Sequence, residues 1–188
     1  MIIGITGRAG VGKSEAAKHI QSQLQIPVID LDTIGHELLE NTSIRAQINS
    51  VFGDDVFDAT GAVSRPALGN LVFADATKLS RLNDIMHPAI KSQVMTRINS
   101  STGHCIVVGA LIKEIDLIDS IDHIILIQAS DESLQQHSAS KAHIRQNQLS
   151  DNAYKAFCHS HIMNDFTKHF SEAIIQHVNT IIAKRSND

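Results

Sequence analysis

The chain of 188 residues has little cysteine and no long apolar run. Its two cysteines, Cys105 and Cys158, lie far apart, and Cys105 belongs to an apolar run with the character of a strand. This spacing favours buried free thiols over a disulfide framework. No apolar run approaches the roughly 18 residues that suggest a membrane span. We therefore expect a soluble protein without a membrane partner.

The N-terminal region lacks the features of a targeting segment. The chain passes from Met1 directly into the apolar stretch IIGIT, with no basic segment and no small-residue cleavage site. This favours neither a signal peptide nor a transit peptide, so we expect a cytoplasmic location. The net charge of -4 argues against the broad basic surface that nucleic acid requires, and any anion must therefore be bound locally.

The 11 histidines are scattered along the chain. The closest pair, His159 and His161, has the spacing that places two side chains on one face of a strand. A metal site would need a third ligand and a hydrogen-bond partner for each imidazole ring, and the sequence identifies neither. Ordinary surface histidines are the favoured interpretation.

Short apolar runs alternate with longer segments of helical period, which is typical of a parallel sheet with helices on its faces. The predicted strands are 2–6, 27–30, 105–108, 123–128 and, with the weakest pattern, 161–163. Apolar residues at spacings of three and four predict a last helix over 168–184 that covers the sheet.

Two further segments stand apart from this alternation. Residues 33–99 have a helical pattern with breaks at 53–55, at 58–61 and before Pro88, which is too long for one crossover. We interpret this segment as a helical subdomain inserted after the second strand. Residues 130–160 are polar and predicted to be helical, as in a mobile lid over a site.

The stretch GRAGVGKS, residues 7–14, fits the phosphate-binding pattern of Gly, four residues, then Gly-Lys-Ser/Thr. Glycines let successive N–H groups turn inward around phosphate oxygens, at the positive end of the helix that follows. Lys13 would reach the β and γ phosphates of ATP, and Ser14 would donate its hydroxyl oxygen to Mg²⁺. The alternative is a glycine-rich turn that merely links strand and helix. The predicted ATP-binding residues are Gly7, Gly10, Val11, Gly12, Lys13, Ser14 and Glu15.

Asp30 and Asp32 close the second predicted strand. Ligands of parallel sheets lie at the carboxyl ends of the strands, so both carboxylates are expected to face the phosphates. One carboxylate would orient an accepting hydroxyl and take its proton, and the other would help hold the water shell of the metal. Alternatively, Asp32 caps a helix that starts at Thr33. The spacing alone leaves both interpretations open.

These residues resemble the dephospho-coenzyme A kinase family, and the resemblance extends beyond the glycine loop. IPVIDLDTIGHELLE (26–40) is similar to the family's Asp-x-Asp stretch. FGDDVFDATGAVSRPALGNLVFAD (52–75) is similar to its Phe-Gly, Asp-x-x-Gly, Arg and Val-Phe-x-Asp series, and LNDIMHPAIK (82–91) carries its His-Pro. Together these stretches cover roughly the first half of the chain in the order of the family.

The resemblance implies an α/β fold, namely a P-loop kinase three-layer domain with a five-stranded parallel sheet, an inserted helical substrate subdomain and a lid. It places the nucleotide-binding core at 1–32 and 102–188, the substrate subdomain at 33–101 and the lid at about 130–160. The implied reaction transfers the γ-phosphoryl group of ATP, with Mg²⁺, to the ribose 3′-hydroxyl of the small-molecule substrate dephospho-coenzyme A, giving coenzyme A.

The resemblance also implies roles for individual residues. Lys13 and Asp32 would be catalytic, with Asp32 as the base at the ribose hydroxyl. The implied substrate-binding residues are Asp32, Arg65, His87 and Glu114. Without the resemblance, Arg65 would be interpreted as a surface charge and the pair 87–88 as a helix boundary.

The chain departs from the family at two places. Where the family usually has Asp-x-Pro-Leu-Leu-Phe-Glu, residues 108–114 have VGALIKE, which keeps Glu114 but loses the aspartate. The lid arginines of the family correspond to His137 and Lys141, and Arg145 lies one helical turn further on as the expected substitute. We predict that Lys141 and Arg145 bind nucleotide, although lysine cannot match a bidentate guanidinium.

Two alternatives follow from these departures. The first is a P-loop kinase that phosphorylates another nucleotide or a small alcohol, because the segment 108–114 is altered. The second is an ATP-binding module with weakened catalysis, because the lid has lost arginines. Glu15 adds a negative charge beside the phosphates, for which Arg8 would partly compensate.

Overall fold

The computed structural model describes residues 1–146 and 148–185, apart from the side chain of His143. The strands are β1 (Ile2–Thr6), β2 (Val28–Asp30), β3 (Cys105–Val108), β4 (His123–Gln128) and β5 (Ser160–Met163). The helices are α1 (Lys13–Leu24), α2 (Leu31–Leu38), α3 (Thr42–Phe52), α4 (Arg65–Phe73), α5 (Ala76–Ser100), α6 (Asp131–Ser138), α7 (Ala142–Arg145), α8 (Asp151–Lys155) and α9 (Lys168–Arg185). Short 3₁₀ turns cover Asp54–Val56, Ile118–Ser120 and Ala139–Lys141.

The five strands form one parallel sheet in the order β2-β3-β1-β4-β5. β1 lies at the centre, where Ile5 is in register with Val108 of β3 and Ile125 of β4. Parallel strands need crossover connections, which contain α-helices here except between β3 and β4, where the connection contains a 3₁₀ turn. The α/β class and the five-stranded parallel sheet predicted from the sequence are confirmed.

One face of the sheet is buried against α1 and α9. Alternate residues of β1 and β4, such as Ile3 and Ile125, pack there with Ile20 of α1 and with Ile174 and Val178 of α9. All five side chains are fully buried, and each such burial stabilises the fold by about 1.5–3 kcal/mol. The predicted role of the last helix as a cover for the sheet is thus confirmed.

The described residues divide into two compact units. The first comprises Met1–Asp30 and Arg97–Asp188 and contains the whole sheet, with its last three residues outside the described part. The second comprises Leu31–Thr96 and consists of α2, α3, α4 and most of α5. The assignment of residues 33–101 to substrate binding stays a prediction.

The second unit contains a tight turn where the sequence predicts a break at 58–61. The Asp58 carboxylate accepts hydrogen bonds from the backbone N–H groups of Thr60 and Ala62, at 2.8 and 3.1 Å. Phe57 and Val63 form an antiparallel bridge across this turn. The hydrogen bonds from Thr60, then that from Ala62, lower the pKa of Asp58. The predicted break is confirmed as a closed turn.

The break predicted before Pro88 is wrong, because Pro88 lies inside α5, a continuous helix of 25 residues. The interpretation of residues 87–88 as a helix boundary fails for the same reason. Proline removes one helical N–H, but the helix on each side supplies enough hydrogen bonds and packing to keep the segment helical. Met86 and Ile90, on either side of Pro88, are both buried.

Among the described residues, no helix is both long and apolar enough to span a bilayer.

Both cysteines are free thiols. Cys105 is buried in β3, and burial raises the pKa of its thiol. Cys158 is half-buried before β5, and burial raises its pKa to about 12. Both groups therefore remain protonated at neutral pH, and a protonated thiol is a poor nucleophile.

Four histidines surround Ser160, the first residue of β5. The Nε2 atoms of His123 and His177 lie 2.9 and 2.8 Å from the Ser160 hydroxyl. His159 lies beside His123, with ring centroids 5.0 Å apart, and His161 interacts electrostatically with His177. Within residues 1–146 and 148–185, no three His, Cys, Asp or Glu side chains are arranged as metal ligands.

Because of this histidine cluster, we expect the stability of the folded chain to decrease in acid. Burial first, and then the charges of neighbouring histidines and of Lys184, lower the pKa of His123 and of His177 below 6.5. Between the lowered values and 6.5, the unfolded chain binds more protons than the folded chain. The stability that these two groups contribute is therefore complete above pH 6.5 and is lost as the pH falls through the folded-state values.

The measurement is urea unfolding at a series of pH values from about 7.5 down to about 5.5, on either side of the reference histidine pKa. The His177→Gln variant, whose amide can still bond Ser160, is expected to lose less stability over this range than the unsubstituted chain. His104→Gln at an exposed position is the control. Equal pH dependence in all three proteins would contradict the prediction.

Candidate functional site

The glycine loop connects the end of β1 to the start of α1, at the carboxyl edge of the sheet. Gly7, Gly10 and Gly12 have φ angles of 141°, 88° and 97°. L-residues with a side chain rarely adopt such angles, whereas glycine adopts them without steric cost. The spacing of the glycines is therefore what allows the chain to reverse its curvature here.

The loop is also closely packed at all three of these glycines, and a Cβ atom on Gly7 would collide with the Ile127 carbonyl oxygen. A Cβ atom on Gly10 would collide with the hydroxyl and Cβ of Ser138, and one on Gly12 would collide with the amide nitrogen of Asn164. Both neighbours belong to segments that are distant in sequence. The loop is thus held between α6 on one side and the residues after β5 on the other.

A Gly10→Ala substitution is expected to destabilise the chain by about 1–3 kcal/mol, because it adds backbone strain to the collision. The double variant Gly10→Ala/Ser138→Gly removes the collision and keeps the strain, so it is expected to recover part of the loss. The double variant Gly10→Ala/Ser138→Ala is the matched control. It should recover less stability, since the Cβ atom of residue 138 still collides with the added one. Urea unfolding measures all four proteins, and no recovery with Ser138→Gly would contradict the packing argument.

The loop presents the N-terminus of α1 to its concave side. Gly12 is the N-cap residue of this helix and has no side chain that could cap the first turn. The uncapped amide groups and the helix dipole favour an anion at this position. Ser14 and Glu15 are exposed in this turn, and the Glu15 carboxylate lies 3.1 Å from Nε2 of His19, one turn further on.

Lys13 folds back over the loop. Its Nζ donates hydrogen bonds to the carbonyl oxygens of Gly7 and Arg8, at 2.9 and 3.0 Å. The side chain is partly buried, so the ammonium group is held at the loop rather than extended into water. This places a positive charge at the start of the glycine loop.

The carbonyl groups of the loop are bound by side chains from later segments. The Arg145 guanidinium donates to the Ala9 carbonyl at 3.2 Å, and the Asn164 amide donates to the Val11 carbonyl at 2.9 Å. The Ala9 N–H donates to Oε1 of Gln148 at 2.7 Å. The loop is therefore supported from α7, from the segment after α7 and from the end of β5.

Arg145, the predicted substitute for a lid arginine, lies next to the loop, and its role in binding nucleotide stays a prediction. It also donates to the Ser138 carbonyl and hydroxyl, at 3.1 and 3.3 Å, so its hydrogen-bond acceptors in the described residues are uncharged oxygen atoms.

Arg8 lies 3.7 Å from the Asp151 carboxylate. Arg8 and Arg145 both line a cavity of about 350 Å³, and the Asp151 carboxylate lines it as well. Lys141 is exposed in a 3₁₀ turn.

Tyr154 of α8 connects this helix to the loop after β3. It is fully buried, and its hydroxyl donates to the Ala110 carbonyl at 3.1 Å. Burial first, and then the charge of Glu114, raise the pKa of Tyr154 well above its usual range. Glu114 is exposed as a whole residue. Its carboxyl group nevertheless loses part of its contact with water to the surrounding protein, and this desolvation raises its pKa.

The remaining predicted residues belong to the second unit. Asp32 is exposed as the second residue of α2, which begins at Leu31, so it does not hold the cap position before Thr33. Its carboxylate instead lies in the first turn, where the helix dipole favours negative charge. Arg65 is exposed at the first position of α4, and His87 is partly buried within α5.

Three residues at the loop were missed in the sequence analysis, namely Ser138, Gln148 and Asn164. Asn164 carried a usable signal, because it directly follows a predicted strand, and the carboxyl ends of parallel strands share one edge of the sheet. Ser138 and Gln148 lie in a polar segment without periodicity, and nothing in their local sequence distinguishes them.

The parallel sheet, and the glycine loop between its central strand and α1, define a P-loop nucleotide-binding fold. The chain matches the family model for dephospho-CoA kinase over residues 1–182. It therefore belongs to the dephospho-CoA kinase family, as the resemblance in the sequence implied.

Individual relatives agree with this assignment. A dephospho-CoA kinase from Dehalococcoides mccartyi is 41% identical over 93 residues, which cover 50% of this chain and 46% of that protein. The chain spans about half the length of this curated relative. Among solved structures, a Thermus thermophilus protein matches with a TM-score of 0.78 and 23% identity, over 98% of this chain and 97% of that chain. A dephospho-CoA kinase from Campylobacter jejuni matches with a TM-score of 0.62 and 18% identity, over 96% of both chains. These structures share the fold.

Proposed function

We propose that the chain transfers the γ-phosphoryl group of ATP to the ribose 3′-hydroxyl of dephospho-coenzyme A. The observation that carries the proposal is the loop of residues 7–14, with Lys13 folded over the glycines and an uncapped helix behind them. Membership of the dephospho-CoA kinase family supports the choice of reaction and of acceptor.

The loop binds and orients the phosphates in this proposal. The backbone amides of Gly10, Val11 and Gly12, together with the first turn of α1, surround the polyphosphate, and Lys13 exchanges its loop carbonyls for phosphate oxygens. Phosphoryl transfer needs little covalent participation from the protein, since most of the catalysis comes from positioning and charge stabilisation. Arg145 supplies a further cation beside the loop, bonded only to uncharged oxygens in the described residues.

The residues at the loop fit a Mg²⁺ ion, which prefers oxygen ligands and keeps several waters. Ser14 offers a hydroxyl oxygen on an exposed turn, and Asp30 ends β2 at the same edge of the sheet. When bound, Mg²⁺ would neutralise the charge that develops on the phosphate oxygens. Ser14 would hold the ion directly, and the Asp30 carboxylate would accept hydrogen bonds from its waters.

The acceptor residues follow from the resemblance to the family. Asp32 takes the proton of the ribose hydroxyl as general base, and it is exposed in the first turn of α2. Arg65, His87 and Glu114 bind the remainder of dephospho-coenzyme A. The position where the family usually has an aspartate is occupied by Val108, which is 2% exposed in β3. This buried valine is the observation that favours a different small alcohol or nucleotide as acceptor.

The test is a coupled assay for ADP formation with ATP, Mg²⁺ and a panel of acceptors: dephospho-coenzyme A, adenosine, AMP and shikimate. Turnover that is fastest with dephospho-coenzyme A, together with a product that carries a 3′-phosphate, is the expected result. Faster turnover with another acceptor would replace the proposed substrate. ATP binding by calorimetry without turnover of any acceptor would identify an ATP-binding module with weakened catalysis.

A further inference from the structure

Asn164 is a buried polar residue beside the glycine loop. It directly follows β5, and only 3% of its surface is exposed. Polar side chains are rarely buried to this degree unless their hydrogen bonds are satisfied, because burial removes the hydrogen bonds to water. The partners of this side chain therefore indicate what the residue does.

The hydrogen bonds of Asn164 determine the orientation of its amide group. Its backbone N–H donates to the Gln128 carbonyl at the end of β4, at 2.7 Å. Its Oδ1 accepts from the N–H of Phe166 at 2.7 Å, which leaves Nδ2 to donate to the Val11 carbonyl at 2.9 Å. The opposite orientation would place two acceptors against each other at the Val11 carbonyl and two donors against each other at the Phe166 N–H.

The contact with Val11 has a consequence for the next amide group of the loop. In a trans peptide the C=O and the N–H point in opposite directions. Because the Val11 carbonyl points at Asn164, the N–H of Gly12 points away from Asn164. The orientation of this peptide depends on ψ of Val11 and φ of Gly12, and Gly12, with a φ angle of 97°, restricts rotation little. An external hydrogen bond is therefore needed to select one orientation.

We propose that Asn164 is a positioning residue for phosphate binding. By holding the Val11 carbonyl, it aims the Gly12 N–H at the polyphosphate of the nucleotide, without touching the nucleotide itself. The close contact between Asn164 and Gly12 restricts the peptide further, since even a Cβ atom would not fit between them. This inference rests on the proposed function for the identity of the ligand.

Two variants isolate the hydrogen bond to Val11. Asn164→Ala removes the donor without adding a charge, but it also removes the acceptor for Phe166. Asn164→Asp keeps the shape and the acceptor for Phe166, but it places an oxygen against the Val11 carbonyl and adds a charge. Only the loss of the bond to Val11 is common to both. Asp165→Ala is the matched control, because the Asp165 side chain is exposed and its hydrogen bonds within the described part of the chain are to Thr167, in its own turn.

The experiment measures the Kd of ATP and of inorganic tripolyphosphate by calorimetry, with urea unfolding of every variant in parallel. For both Asn164 variants we expect a rise in both Kd values of about 10-fold or more, which corresponds to one misdirected hydrogen bond to a charged group. The Gly12 amide resonance is expected to shift on addition of tripolyphosphate in the unsubstituted chain and much less in either variant. Asp165→Ala should leave all these values unchanged.

The outcomes separate this inference from the proposed function. If the folded Asn164 variants bind tripolyphosphate as tightly as the unsubstituted chain and are only less stable, Asn164 merely supports the turn and the inference is overturned. A rise in Kd for Asn164→Asp alone reflects charge repulsion and also overturns it. Absence of ATP and tripolyphosphate binding by the unsubstituted chain overturns the proposed function, and this inference with it.

Discussion

Replacing Lys13 by alanine is expected to reduce kcat for ADP formation by about 10²–10³-fold, the cost of removing one preorganised charged donor from a phosphoryl-transfer site. The reason is the location of the ammonium group, which lies 2.9 and 3.0 Å from two carbonyls of the loop. From there it can reach phosphate oxygens without a large movement, so its charge acts where negative charge develops.

Lys18→Ala is the matched control for this prediction. Lys18 belongs to the same helix, α1, and is exposed, so its removal changes the net charge equally without affecting the loop. The steady-state rates of both variants with saturating ATP measure the effect, and far-UV circular dichroism checks that the helix content is retained. Lys13→Ala activity within threefold of that of Lys18→Ala would place the phosphates elsewhere.

Replacing Asp32 by asparagine is expected to reduce kcat by about 10²–10⁴-fold while leaving the affinity for ATP nearly unchanged, because a general base contributes in this range. Asparagine keeps the size and the hydrogen-bonding capacity of the side chain but cannot take a proton. Asp32 is exposed in the first turn of α2, and a substitution there is not expected to disturb the core.

The control for this variant is Asp55→Asn, which removes one exposed carboxylate from the same unit of the chain. Single-turnover measurements separate phosphoryl transfer from product release, and calorimetry reports ATP binding. If Asp32→Asn transfers the phosphoryl group as fast as Asp55→Asn, Asp32 is not the base, and the acceptor hydroxyl needs a different partner.

The strands that are most deeply buried were predicted most accurately from the sequence. β1, β3 and β4 match the predicted ranges, because strands covered on both faces form continuous apolar runs that are visible in the sequence. β5 gave the weakest pattern, since it is an edge strand in which His161 and Met163 are exposed. Pro88 misled the prediction because a local preference was overridden by the long helix around it.

The glycine loop was predictable for a different reason. Its conformation depends on residues that are adjacent in the chain, so the pattern of glycines followed by Lys13 and Ser14 carries the information by itself. The supporting contacts are not local. Arg145 and Ala9 are 136 positions apart, and Asn164 and Val11 are 153 positions apart.

By itself, the sequence determined that this chain has a phosphate-binding loop on a parallel α/β sheet and resembles one family of kinases, because backbone preference and hydrophobic period are local properties. Only the tertiary structure decided which side chains hold the loop carbonyls. The order of the strands brings the end of β5 and the segment between β4 and β5 to the loop after β1. That order depends on packing between distant segments, which no short stretch of sequence encodes.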